Sequence, residues 1–239
     1  GHAGEVQHTI SEAYVKRLYD HGFLHLESTQ QFYDTKEDMF LNGRQVVGHC
    51  PVQGCKSEKA YADECDLGHQ YDPADLINPI SSVSGTVPEM RTVNNWYFDL
   101  PSLAYIVKDY VEAAEQDEQV RPLVPKTIKE FLVPPIIYIK VELYDAYTQI
   151  ADKLPAHEYR DAAKGKQSFE LEFASVADRD QARGVLTEAN IRFRTGKALV
   201  PFRISGNASW GIPCPEIDGV SGLTIWCWPE SLWAPLSFT

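Results

Sequence analysis

The sequence predicts a mixed α+β protein of short strands and helices, with a small α/β unit inserted in its second half. Three observations carry this expectation. Apolar residues recur at helical spacing near the N-terminus, short apolar pieces broken by turn residues follow them, and the texture changes to a β-α-β-α-β order from residue 134. The length of 239 residues allows one large domain or two small ones.

Each element has its own signal. In residues 5–21, Val6, Ile10, Ala13, Tyr14 and Leu18 share one helical face, and Gly22 follows as a stop. Residues 23–47 are interrupted by Asp34, Asn42 and Gly43, which predicts small strands or hairpins. Pro101 opens a second helix with Leu103, Ile106, Val107, Tyr110 and Val111 on one face. Further on, residues 136–141 are β-rich, 144–154 helical and 168–173 alternating. Ser175 with Asp178 starts a helix ending near Asn190, and strands are expected at 191–194 and 199–204. Four of the five tryptophans lie beyond Gly206 among Pro and Gly, which predicts a packed loop-and-strand segment.

Composition narrows the function. With 44% apolar and 23% charged residues the chain has the balance of a folded globular protein. A net charge of −12 excludes a nucleic-acid surface spread over the whole chain, because phosphate neutralisation needs clustered Lys and Arg. No apolar run reaches the ~18 residues of a membrane span, so no membrane partner and a cytoplasmic location are expected.

Cysteine placement is the most informative local pattern. Of five cysteines, Cys50, Cys55 and Cys65 lie close together and are followed by Gly68-His69, giving C-x4-C-x9-C-x3-H. Short cysteine spacings with glycine suit two tight turns presenting soft ligands to zinc, so Cys50, Cys55, Cys65 and His69 could complete a tetrahedral site. A closed four-ligand site leaves no position for water or substrate, which makes the expected zinc structural. Asp66 and His49 are alternatives to His69, and buried free thiols beside an unrelated histidine are the competing explanation.

Around this cluster the sequence resembles methionyl-tRNA synthetases of class I, in their connective peptide. The matching residues are Tyr33-Asp34, Met39-Phe40-Leu41 and Gly48 before the cluster, and Tyr71, Pro73, Leu76-Ile77 and Pro79 after it. Val83-Ser84-Gly85-Thr86-Val87-Pro88-Glu89-Met90-Arg91 and Trp96-Tyr97-Phe98-Asp99-Leu100-Pro101 follow in the family's order. His2 and Gln7 are similar to the family's H-x-x-x-x-Q helix, and Trp210-Gly211-Ile212-Pro213 to its W-G-I-P stretch.

Departures qualify the match. Asp34 and Glu37 stand where a first cysteine pair would be, so one zinc is expected rather than two. Gly206-Asn207 replaces the usual R-D of I-S-R-D. The segment from Trp226 to Leu232 falls where Y-V-W-x-D-A-P is usual, with Trp228 matching outright and Glu230 standing for the aspartate.

The resemblance implies a central piece of such an enzyme. It would comprise a helix leading out of the catalytic fold (1–23), the zinc-knuckle connective peptide (24–105), a helical link (106–133), the inserted α/β unit (134–204) and a return toward the catalytic fold (205–239). The whole enzyme would ligate methionine to tRNA with ATP, Trp228 and Glu230 contacting methionine. Neither the H-x-G-H nor the K-M-S-K-S signature is present, so ATP chemistry and catalytic residues are expected outside this chain. Two rivals are a paralogue with another amino-acid substrate and a non-enzymatic zinc module binding RNA or protein.

Other candidates have plainer explanations. His21 and His25 could bind metal, but a helix end favours histidine anyway. The acidic run Glu112, Glu115, Asp117 and Glu118 reads as a solvated helix end. Trp226, Trp228 and Trp233 could wall a thioether pocket or pack a core, and Arg91, Trp96 and Tyr97 could touch a tRNA end.

Overall fold

The computed structural model describes residues 4–52, 54–69 and 71–233, apart from the side chains of Trp228 and Glu230. It mixes helices and strands in two compact units, Gly1–Asp99 with Phe202–Thr239, and Leu100–Pro201.

In the first unit, Glu5–Asp20 forms helix α1, which ends as Gly22 turns to φ +74° and its N–H bonds to the Tyr19 carbonyl. Strands follow: β1 (Leu24–Asp34), β2 (Met39–Phe40), β3 (Val46–His49), β4 (Ala60–Tyr61), β5 (Ile77–Ser81) and β6 (Glu89–Phe98). Of the small strands or hairpins expected over 23–47, β2 and β3 are short and β2 forms a hairpin with the end of β1, but β1 itself is long. β1 runs eleven residues because it pairs antiparallel with β6 from Leu24↔Phe98 to Tyr33↔Glu89, and alternate burial is kept along much of its length. Strands β4-β3-β5 form a smaller sheet. Its apolar side joins Phe32, Leu41, Val46, Ala60, Ala62, Cys65 and Leu76 in one core.

The second unit begins with helices α2 (Ala104–Gln116) and α3 (Leu123–Lys129). α2 buries Val111 and Ala114, whereas Ile106 and Tyr110 are exposed, so its inward stripe lies to one side of the expected face. Next come β7 (Ile136–Lys140), α4 (Tyr144–Thr148), β8 (His157–Arg160), β9 (Ser168–Phe173), α5 (Val176–Glu188) and β10 (Phe193–Thr195). Ser175 caps α5 by accepting from the Asp178 N–H at 3.1 Å. The strands form one antiparallel sheet in the order β10-β7-β9-β8, the split β-α-β arrangement. One face of that sheet packs Ile137, Ile139, Phe169, Leu171 and Phe173 against Tyr147, Ala182 and Leu186 of the helices.

Two expectations are corrected here. The helix over 144–154 stops at Thr148 and continues as a separate single turn at Ala151–Lys153, ahead of Pro155. The strand expected over 199–204 is only β11 (Phe202–Arg203), which pairs with β6 in the first unit. The chain then forms β12 (Ser205–Gly206), β13 (Thr224–Ile225) and α6 (Cys227–Trp233). Ile204, Ile212, Ile217, Leu223, Ile225 and Trp233 from this return segment pack on Val15 of α1, Leu24 and Trp96. Among the described residues no helix is long and apolar enough to cross a membrane.

Candidate metal centre

Strand β3 delivers Cys50 and β4 leads toward Cys65. Two glycines make the turns that bring the ligands back: Gly54 and Gly68 take φ of +78° and +80°, a conformation side chains with a Cβ rarely adopt. The second loop is closed on itself. The Cys65 N–H bonds to the His69 carbonyl at 3.0 Å, Gly68 N–H to the Cys65 carbonyl at 2.9 Å, and Ala60 bridges Cys65. Gly48, one residue before His49, allows β3 to lie against β5, since a Cβ there would sit 2.6 Å from the Ile77 carbonyl oxygen.

These turns gather the ligand atoms of Cys50, Cys55, Cys65 and His69 within 4.8 Å of one another. His69 Nδ1 lies 3.8, 3.2 and 3.4 Å from the sulfurs of Cys50, Cys55 and Cys65, and the Cys55 and Cys65 sulfurs are 4.0 Å apart. Tetrahedral zinc with bonds of ~2.3 Å to sulfur and ~2.05 Å to nitrogen requires edges of about 3.8 Å between sulfurs and about 3.6 Å from sulfur to nitrogen. The sulfur–nitrogen edges bracket their value and the Cys55–Cys65 edge is slightly longer than its own, and the donor set of three sulfurs and an imidazole excludes a hard cation such as calcium. The four residues could therefore hold a metal ion. Asp66 is instead hydrogen-bonded to Ser57, and His49 is not in the cluster.

Backbone amides support the sulfurs. The Ser57 N–H reaches Cys55 Sγ at 3.4 Å, and the N–H groups of Val52 and Leu67 serve Cys50 and Cys65, so each sulfur accepts from the residue two positions on. Such bonds favour the thiolate that a metal needs. At Cys65, burial works to raise the thiol, but the N–H groups of His69 and Leu67 outweigh it and hold the thiol down at about 6.

A second concavity in the same unit includes Trp226, one of the three tryptophans expected to wall a pocket or pack a core. A cleft of about 760 Å³ is lined by His8, Trp210, Ile212, Thr224, Trp226 and Cys227 among others, with Trp210 79% exposed. The Arg203 guanidinium lies 4.9 Å over the Trp226 ring. Arg203 also donates to the Ser205 carbonyl, to Gln31 and to Asn207, and Asn95 Nδ2 donates to the same Asn207 oxygen at 2.8 Å. Gly206 has no room for a side chain, because a Cβ would meet the Trp226 ring at 2.6 Å. Arg203, Gln31 and Asn95 are distant in sequence from Trp226 and carry no spacing that would have revealed them.

The remaining candidates separate. Trp228, Glu230 and His2 lie outside the described residues, the first two by their side chains. Trp233 is buried, stacked on Tyr14 and bonded to Ser11, so it packs a core rather than a pocket wall. Arg91 stacks on Tyr33 and bonds to Glu89, and Trp96 is buried. His21 bonds to the Arg17 carbonyl and His25 to Glu27, while Glu115 pairs with Lys129.

Comparison with known proteins gives consistent relatives. The family described as tRNA synthetases class I (M) matches residues 2–143. The methionine–tRNA ligase of Korarchaeum cryptofilum (strain OPF8) is 39% identical over 127 residues, covering 52% of this chain and 22% of that protein. The methionine–tRNA ligase of Thermofilum pendens (strain DSM 2475 / Hrk 5) is 37% identical over 103 residues, covering 43% of this chain and 18% of its own length. The chain thus spans about a fifth of the length of the curated relatives it matches. Among solved structures, Mycobacterium tuberculosis methionyl-tRNA synthetase bound by methionyl-adenylate aligns with 99% of this chain and 28% of its own, at 11% identity and a TM-score of 0.37.

Proposed function

The chain belongs to the class I (M) family of tRNA synthetases, and from that premise we propose that it is a central region of a cytoplasmic methionyl-tRNA synthetase. The observation that carries the reading is the family match over residues 2–143, a span that contains the whole Cys50–His69 cluster. Two relatives that are methionine–tRNA ligases support the choice of amino acid.

In this reading Cys50, Cys55 and Cys65 as thiolates and His69 through Nδ1 hold one zinc ion. Bound zinc supplies a structural cross-link between the two turns and no reacting position. The chain's own residues do the rest. The N–H groups of Val52, Ser57 and Leu67 point at the sulfurs, burial holding the Cys50 thiol up at about 11 until a metal takes its proton's place, and the Phe32, Leu41 and Val46 core fixes the cluster against β1. The knuckle shapes the mouth of the active site and helps guide the tRNA acceptor stem. Trp228 and Glu230 contact methionine, and ATP is handled by the H-x-G-H and K-M-S-K-S elements of the full-length enzyme.

Pyrophosphate exchange tests this. The isolated chain is expected to show none, and the full-length protein to show exchange dependent on methionine and ATP. Exchange by the isolated chain overturns the reading. The replacement of R-D by Gly206-Asn207 and the divergence over Trp226 to Leu232 favour one second reading, a paralogue for another amino acid. Exchange driven by a different amino acid would select it.

A further inference from the structure

The second unit carries a feature that the aminoacylation reading does not use. One face of its four-stranded sheet packs the core, and the other presents alternate residues in rows across the strands. One row runs Arg194, Tyr138, Glu170 and Arg160 over β10, β7, β9 and β8. Beside it, Lys140 on β7 pairs with Ser168 on β9, and Arg192 stands at the start of β10. Tyr138, Lys140, Ser168, Arg192 and Arg194, with Glu142, line a cleft of about 480 Å³. The Arg194 guanidinium lies 5.1 Å over the half-buried Tyr138 ring.

Charge divides this face. At the β8–β9 end, Arg160 pairs with Glu172 at 2.8 Å and with Glu158 at 3.5 Å, leaving an acidic balance there together with Glu170. At the β7–β10 end Lys140, Arg192 and Arg194 line the cleft with Tyr138, and Glu142, 3.5 Å from Lys140, is the acidic group of the lining. The stretch 134–201 has ten Lys and Arg against ten Asp and Glu, in a chain whose net charge is −12. The cationic end is therefore a local positive site on a stretch without net charge, the setting in which a polyanion is recognised by contact rather than by the field of the whole molecule.

We propose that the β7–β10 end of this face binds single-stranded RNA, stacking one base on Tyr138 and placing flanking phosphates at Lys140, Arg192 and Arg194. A ring on a central strand of a four-stranded antiparallel sheet is a stacking platform for an unpaired base, and the Arg194 guanidinium that lies over it gives way to the base and takes a flanking phosphate. Duplex RNA offers no free base face to the ring and is excluded. The acidic β8–β9 end repels a continuing backbone, so the site is short, one to two nucleotides, and its affinity is modest and salt-dependent. Binding here would be independent of catalysis.

The test is fluorescence anisotropy of the full chain with a labelled eight-nucleotide single-stranded RNA, titrated from low to moderate salt. Binding is expected to weaken with a log–log salt slope near −2, from about three phosphate contacts at ~0.7 each. Tyr138→Ala is expected to weaken it by about tenfold or more, within the range for losing one stacked base. Tyr138→Leu, which keeps the apolar volume, should lose as much, whereas Tyr138→Phe should retain binding. Reversing Lys140, Arg192 and Arg194 to Glu should abolish it. Absence of binding at low salt, equal binding by Tyr138→Leu, or full displacement of the RNA by polyglutamate would each overturn the proposal, the last in favour of an acidic protein partner.

Discussion

Asp34 is a fully buried carboxylate at the end of β1, and its oxygen Oδ1 accepts from the N–H groups of Lys36 and Glu37 at 3.0 and 3.1 Å. The Ser81 and Ser84 hydroxyls and then those amides hold its carboxyl at about 2, below the ordinary 3.8. A depressed folded-state value means the contribution is complete above the ordinary value and is lost as pH falls through about 2. Asp34→Asn should therefore lower the urea midpoint clearly at pH 7, with the gap to wild type closing as pH falls from 4 toward 2. A gap constant with pH would contradict this. Gly48 makes a second single-residue test. Gly48→Ala forces a Cβ against the Ile77 carbonyl, which backbone cannot avoid by rotating, so a loss of about 1–3 kcal/mol and weaker zinc retention are expected by thermal unfolding and metal titration. At this scale the cluster was legible, because Cys50, Cys55, Cys65 and His69 are close in sequence and their turn glycines are visible. Arg203 and Asn95 were not, since the contacts that place them are long-range, the Asn95–Asn207 bond spanning more than a hundred residues.

Among the elements, α5 follows its sequence signals closely and β7 and β9 show the expected runs, whereas α1 keeps its expected length but buries Gln7, Ser11 and Val15, one position round from the expected face, with Val6 and Ala13 exposed. Ser175→Ala removes the cap of α5 and should cost about 1 kcal/mol in chemical denaturation. No change would mean that the Ser175 hydroxyl bonds equally well to water. Strand β8 was missed for a physical reason. Its His157-Glu158-Tyr159-Arg160 is a polar edge strand, held by backbone pairing to β9 and by one apolar ring, Tyr159, against Phe169. Edge strands satisfy half their backbone with solvent and need little apolar patterning. Finding β8 turns the expected β-α-β-α-β order into a closed set of four antiparallel strands, which creates the open face bearing Tyr138. The length of β1 was also hidden, because its register with β6 is a long-range pairing that Asp34 and Asn42 interrupt only at its end.

For the whole molecule, family membership and four residues that could hold a metal ion support the proposal of a structural zinc. Because the ligands come from two turns that pack directly on the Phe32–Leu76 core, chelating zinc should release folding energy of several kcal/mol and lower the melting temperature by about 10 °C or more. One zinc per chain should be measured before chelation and none after, with the far-ultraviolet signal of α1 and α5 largely kept. The most direct test is methionylation of tRNA by the full-length protein, wild type against Cys65→Ser, with zinc counted in both. The expected result is methionine-specific charging with one zinc at this centre, and loss of that zinc together with most of the charging in the variant. Undiminished charging by a variant without zinc, or no charging with methionine by the wild type, would contradict the account.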